Sequence, residues 1–413
     1  MNPTEIRVWI GEEVFMQIIR DVSRFVSIPG ARTLLTMLFF YGIGTGILAP
    51  MNAVYLNESV GLSKVQIVVV FAVSLFCNIA ITITIGWISD SLKNKKKLPI
   101  IAALFCIIGL FIYMNASGFR SALMGMTITV APSGLIMGQL FGMARNHFSR
   151  YASDIVEIAQ IWLRACYSIG FFAGLLLGAN IFLLATFKGV LWGNLAGYVS
   201  LVILLLLYKE TTGEPGAKQA VKGEPLSLVM LVALLMLSCA DAIRGLYLQL
   251  VVLKLFSKPE IMSYIWSTQA VFELFFMTLG GYLAARYGSK KIIFLGGCFA
   301  LITYLTYTSS TSLPVFFVVQ PLYSFFVSIL YGVAMGYVQR MFLSRTGFGA
   351  SLYVFISQTA SLIGYFLPLF IQGITPKIFI IPSLLVALSL LIIGVVLYKE
   401  KGSNRKNSIV LEQ

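Results

Sequence analysis

Residues 86–97 read Gly86-Trp87-Ile88-Ser89-Asp90-Ser91-Leu92-Lys93-Asn94-Lys95-Lys96-Lys97. About half a chain later, residues 281–291 read Gly281-Tyr282-Leu283-Ala284-Ala285-Arg286-Tyr287-Gly288-Ser289-Lys290-Lys291. Each stretch closes one long apolar run and leads into another, and each passes from a glycine through a short turn to a cluster of bases. The same device at equivalent places in two halves is an internal repeat. A glycine near a helix end lets a neighbouring helix come close, and a carboxylate such as Asp90 at that end can engage a helix N-terminus or an arginine. Gly86, Asp90, Gly281, Arg286 and Gly288 are therefore read as a conformational latch.

Outward from these loops the chain is almost continuously apolar. Of 413 residues, 58% are hydrophobic and 11% charged, which is more apolar surface than a soluble domain of this length buries. A helix needs ~20 apolar residues to cross a hydrocarbon core ~30 Å thick. Hydropathy with polar or glycine punctuation places twelve such spans, at 34–57, 63–88, 98–117, 121–144, 155–183, 187–207, 226–254, 260–284, 291–309, 314–338, 350–372 and 377–398. The expected fold is an all-α membrane protein, a six-helix bundle at 34–208 and a second at 226–398, related by pseudo-symmetry. A Gly-, Glu-, Lys- and Pro-rich linker, 209–225, joins them. Residues 1–33 include an amphipathic stretch from Ile6 to Val26, read as a helix lying on the membrane surface. Residues 399–413 form a polar tail.

The net charge of +14 reports topology rather than nucleic-acid binding. Of the 30 lysines and arginines, 22 fall on one set of alternate loops, while the other side keeps only Lys64, Arg120, Lys188, Lys254, Lys258 and Lys377. The positive-inside rule puts the basic loops and both termini in the cytoplasm, and the chain in the cell membrane. No cleavable leader is expected, because the first strongly apolar run is long enough to span. The five cysteines, Cys77, Cys106, Cys166, Cys239 and Cys298, sit inside apolar runs without ligand spacing and read as packing residues. His147 is the one histidine, placed between Arg145 and Arg150 as a solvated residue. No metal site, no cofactor and no enzymatic chemistry is expected. The absence of a GxxxxGK[ST] loop argues against direct use of ATP.

An ionisable group inside a span is costly unless it faces a cavity or a partner, so each is a functional candidate. Arg164, Asp241, Arg244 and Glu273 are such groups, and all four are expected to face a central cavity. Asp241 lies ~22 Å along its helix from Leu226 and Glu273 ~20 Å from Arg286, which sets both acids near mid-membrane. Asp241 and Arg244 are three apart on one face and can neutralise each other. Glu273, among Phe272, Leu274, Phe275 and Phe276, has no adjacent base, and an apolar wall disfavours its charged form. Glu273 and Asp241 are therefore the proton-coupling candidates, Glu273 first. Arg164 and Arg244, with the amides Asn52, Asn78, Gln139, Gln269, Gln320 and Gln358, are candidates for substrate binding, although each amide can equally tie helices together. Gly170, Gly174 and Gly178 leave one face of the fifth span bare for close approach by another helix. Gly42, Gly44 and Gly46 make the first span either bendable or tightly packed.

The repeated loops resemble the signature G-x-x-x-D-R-x-G-R-R of the major facilitator superfamily, departing from it at Ser91 and at Ala285. Within that superfamily the chain is similar to the bacterial sugar efflux transporters. The similarity lies in Leu140-Phe141-Gly142-Met143-Ala144-Arg145, in Leu163-Arg164-Ala165, and in Phe272-Glu273 upstream of Arg286-Tyr287-Gly288. The resemblance implies a monomeric secondary transporter working by alternating access, with a sugar or small glycoside exported in exchange for protons. It also implies a glycine-rich fifth helix at the interface of the halves. The four buried charges suit a zwitterionic or carboxylated metabolite, such as an amino-acid-derived metal chelator. Aromatic residues such as Tyr41, Phe171, Trp266 and Phe275 suit a lipophilic drug, against which the missing Gly-Pro element of drug exporters counts. A non-transporting receptor or scaffold is the remote alternative.

Overall fold

The computed structural model describes residues 24–89, 96–152, 156–209, 224–342 and 346–411. Asp90, most of the linker 209–225 and most of the amphipathic N-terminal stretch lie outside them. Among the described residues the secondary structure is helical throughout, and ten helices are long and apolar enough to cross a membrane. In chain order the elements are α1 (Ala31–Glu58), α2 (Lys64–Ser89), α3 (Lys97–Met114), α4 (Phe119–Tyr151) and then the stretch Val156–Leu207. That stretch of 52 residues is twice what one crossing needs. It breaks at Ala185 and at Thr186, whose φ of 54° is unusual for a β-branched residue, and folds into α5 (156–184) and α6 (187–207). The second half holds α7 (Leu228–Phe256), α8 (Ile261–Tyr287), α9 (Ser289–Ser309), α10 (Leu313–Met341), α11 (Thr346–Phe366) and α12 (Ile380–Leu411). α8 is as long as its neighbours, and Gln269 and Glu273 lower its hydropathy. With α5 and α6 separated and α8 included, the spans number twelve.

Small residues decide which helices touch. A Cβ at Gly46 would lie 2.2 Å from the Phe171 carbonyl oxygen, one at Gly170 2.2 Å from that of Phe39, and one at Gly174 2.3 Å from that of Ile43. α1 therefore packs backbone to backbone against α5, inside the first half. The bare face of α5 is taken up inside its own half, where the small-residue rows of α1 and α5 complement one another, and α5 also meets α8 of the second half, with Phe172 and Leu176 beside Tyr264 and Thr268. The contact between α1 and α5 resolves the glycines of α1 in favour of close packing.

One further expectation changes at the basic end. His147 is buried, its Nδ1 is 3.0 Å from the Tyr208 hydroxyl, and its ring lies against Tyr151. It is part of the packing between α4 and the end of α6, not a solvated loop residue, because α4 runs on past the predicted end of the span. Phe25 is also buried, stacked on Phe148 at 4.9 Å and edge-on to Trp162 at 5.0 Å. The amphipathic stretch thus ends docked on protein.

The polar clasp between the halves sits at the end opposite the basic loops. Lys64 Nζ, at the start of α2, donates to the carbonyls of Pro368 (2.6 Å), Ile371 (2.7 Å) and Gly373 (3.1 Å), where α11 has ended in a 3₁₀ turn. In return, Gln249 of α7 accepts from the Ala53 amide (3.1 Å), freed where Pro50 breaks α1. Each half thus places a long polar side chain on loose helix-end backbone of the other. At the basic end the contacts among described residues stay within one half: Lys96 donates to Tyr208 O at 2.6 Å, Arg340 to Ser289 at 2.6 Å, and Lys290 pairs with Glu400.

Lys64→Met removes three charge-assisted bonds at once. In a background without native cysteines, Leu250→Cys, buried beside this clasp, should then be alkylated several-fold faster from the side opposite the basic loops. An unchanged rate would show that the clasp does not hold that end shut.

Candidate functional site

The site is built on α10, whose helix is interrupted twice. Val319 separates Leu313–Val318 from Gln320–Ser328, with Pro321 at the restart, and Ile329–Ala334 then widens into a π-helical turn. Such a turn re-aims side chains and leaves carbonyls seeking donors. Tyr353 of α11 supplies one by donating to Leu330 O. Ile329 fits over Gly296 of α9 and Gly280 of α8. Two serines of α10 bond the backbone of α8, Ser324 to Gln269 O (2.9 Å) and Ser328 to Glu273 O (3.1 Å).

Within this frame the charged residues of the second half form one network. Arg244 of α7, 2% exposed, donates through Nη1 to Gln269 Oε1 (2.7 Å) and through Nη2 to Gln320 Oε1 (2.9 Å). Its guanidinium carbon lies 3.7 Å from the centre of the Tyr323 ring, a cation–π contact. Because the Gln269 oxygen faces Arg244, its amide nitrogen faces the other way and donates to Glu273 Oε2 (3.2 Å). Gln320 similarly turns its nitrogen to the Tyr307 hydroxyl (2.7 Å). The Asp241 carboxylate accepts from Tyr331 (2.6 Å) and from Tyr323.

The expected neutralisation of Asp241 by Arg244 takes a different form. The two side chains share a helix face, yet no ion pair joins them: Tyr323 stands between, its hydroxyl on the acid and its ring under the base. Arg244 is enclosed by protein rather than held out toward a cavity. Its Nε is buried without a partner. Sequence reading missed Tyr323 and Tyr331, because a tyrosine in an apolar run looks like core; the Gln320-Pro321 break just before them was the available signal.

Asn52 accepts from Tyr113 (2.6 Å), and Asn78 donates to Val130 O (2.7 Å) and Ala131 O (3.2 Å). Both tie helices of the first half together. Gln139 on α4 and Gln358 on α11, partly buried, form no hydrogen bond among the described residues. Arg164 of α5 is exposed and unbonded among the described residues, and its charge acts on Glu273 together with those of Asp241 and Arg244. At the repeated loops, Gly86 ends within α2, Gly281 has open space at its Cβ position, and Arg286 lies over the Tyr287 ring at 5.3 Å. Gly288 has a φ of 93° and caps α8 by donating to Ala284 O (2.9 Å), a turn that needs glycine.

Removing the base from this network should cost heavily, because its amides and tyrosines were arranged around a charge. Arg244→Met is expected to destabilise the protein by about 3–5 kcal/mol, read as a large fall in unfolding temperature in nanodiscs. A variant as stable as the parent would mean that Arg244 is not structurally enclosed.

A profile of the Major Facilitator Superfamily matches residues 34–257. Sugar efflux transporter A of Escherichia coli (strain K12) is 21% identical over 326 residues, covering 76% of this chain and 82% of that protein. Among solved structures, a mutant of the nucleoside transporter NupG superposes with a TM-score of 0.74 at 14% identity, covering 89% of this chain and 98% of that one. A bacterial homologue of the human lysosomal transporter Spinster, captured inward-facing and unoccupied, gives 0.66 at 12% identity, covering 88% and 94%.

Proposed function

The chain belongs to the Major Facilitator Superfamily, and from that membership we propose that it exports a small polar solute in exchange for protons, its basic loops facing the cytoplasm. As a transporter of this superfamily it is embedded in a membrane and takes a small-molecule substrate. The observation that carries the finer reading is the state of Glu273. It is the acid of the network with a single side-chain donor, Gln269, whereas Asp241 holds two tyrosine hydroxyls. A proton on Glu273 changes what Gln269, and through it Arg244, must satisfy. Since Arg244 also grips α10 through Gln320 and Tyr323, protonation bears on the packing of α7, α8 and α10 together. A two-state element biased by one proton is what coupling requires. The resemblance to a protein named a sugar efflux transporter supports a sugar-like cargo.

The test is uptake into inside-out vesicles with an acid lumen, using radiolabelled small sugars, sugar acids and amino acids. Accumulation that collapses with a protonophore is expected. Accumulation indifferent to the protonophore would remove the proton from the mechanism.

A further inference from the structure

Arg244 and Asp241 find hydrogen-bond partners inside the protein; among the described residues, Arg164 does not. It is exposed and, among the described residues, forms no hydrogen bond or ion pair, although an arginine within a span ordinarily has a partner or faces water. Helix packing fixes where it stands. Gln160 donates to Phe141 O at 3.4 Å, which sets α5 against α4, and one turn along this antiparallel pair lie Arg164 and Gly138. A Cβ at Gly138 would meet nothing within 4 Å, so the space before it is open. Gln139, beside it, has both ends of its amide unused among the described residues. The charge of Arg164 also acts on Glu273 of the second half, so a base of one half and an acid of the other are electrostatically coupled.

That open space is incompletely matched to a neutral sugar, which leaves a guanidinium fork without its complementary acceptors. A carboxylate offers two oxygens in the geometry of that fork and supplies the missing charge. We infer that the cargo carries a carboxylate gripped by Arg164, with its remaining polar groups set against Gln139 and Glu273. The inference rests on the transport reading above and narrows its substrate class. Two kinds of solute share this chemistry: a sugar acid, whose hydroxyls would meet Gln139 and Glu273, and an amino-acid derivative, whose ammonium would meet Glu273.

The experiment is counterflow in proteoliposomes of the full chain, with gluconate against glucose, serine against serinamide, and lactate against lactamide. At least one acid should accumulate at least tenfold better than its neutral partner. Arg164→Met should lose that preference, and Arg164→Lys should recover little of it, because an ammonium lacks the fork. Both variants should unfold at the parental temperature, since the side chain is exposed. Gluconate alone would identify a sugar acid, serine alone an amino-acid derivative. A panel in which no acid outperforms its neutral partner, or an Arg164→Met protein that still prefers the acid, would overturn the inference. Neutral sugars that accumulate in both parent and Arg164→Met would do so while leaving the transport reading intact. Counterflow by no solute at all would remove both.

Discussion

Glu273→Gln is expected to abolish proton-driven uphill transport while energy-independent exchange of bound solute persists. Glutamine keeps the length of the side chain and can still accept from Gln269, so the network of Gln269, Arg244 and Gln320 survives. What disappears is the proton that the carboxyl gains and loses. A gradient should then drive no accumulation. Asp241→Asn is the informative contrast. Its neighbours are hydroxyls, which can turn from donor to acceptor, and Arg244 rests on the Tyr323 ring rather than on the carboxylate. Coupling should therefore persist, and any loss should appear in stability or affinity instead. If Asp241→Asn uncouples and Glu273→Gln does not, the proton belongs to Asp241.

The second large effect concerns folding. Gly46→Val should leave little folded protein, because even the first carbon of the side chain would sit 2.2 Å from Phe171 O. Backbone on both sides of the contact has no rotamer by which to escape, so α1 would have to leave α5. Gly138→Ala, where a Cβ meets nothing within 4 Å, is the control and should express and unfold like the parent. Recovery of Gly46→Val at parental yield, measured by size-exclusion profile and unfolding temperature, would contradict the packing described here.

These cases show which parts of the molecule are legible in sequence. The span pattern is, because each crossing is a local property of ~20 residues; the break at Ala185–Thr186 falls between the two spans read from hydropathy. The glycine rows of α1 and α5 were visible, but their partner was not, since a bare face says only that something approaches. Arg244 and Asp241 were visible as charges whose spacing suggested a pair. The aromatic ring between them depends on α10 arriving from eighty residues away with its π-helical turn. Gln269 and Gln320 were read among several amides of equal standing. They differ from Asn52 and Asn78 only because Arg244 lies between them, a fact of tertiary packing. Glu273 was singled out for its apolar neighbours in sequence, and the structure adds the one amide that reaches it.

The central claim is that the two halves open alternately at their two ends, and that a proton on Glu273 biases the exchange. Its most direct test is the distance between paired spin labels in a background without native cysteines, measured in nanodiscs at two pH values. One pair, Glu58→Cys with Gln372→Cys, spans the halves at the clasped end; the other, Arg145→Cys with Arg286→Cys, spans them at the basic end. The account predicts that one distance shortens as the other lengthens when the pH changes. It also predicts that Glu273→Gln holds both pairs at their low-pH distributions whatever the pH. Distances that move together, or a Glu273→Gln protein that still responds to pH as the parent does, would contradict it.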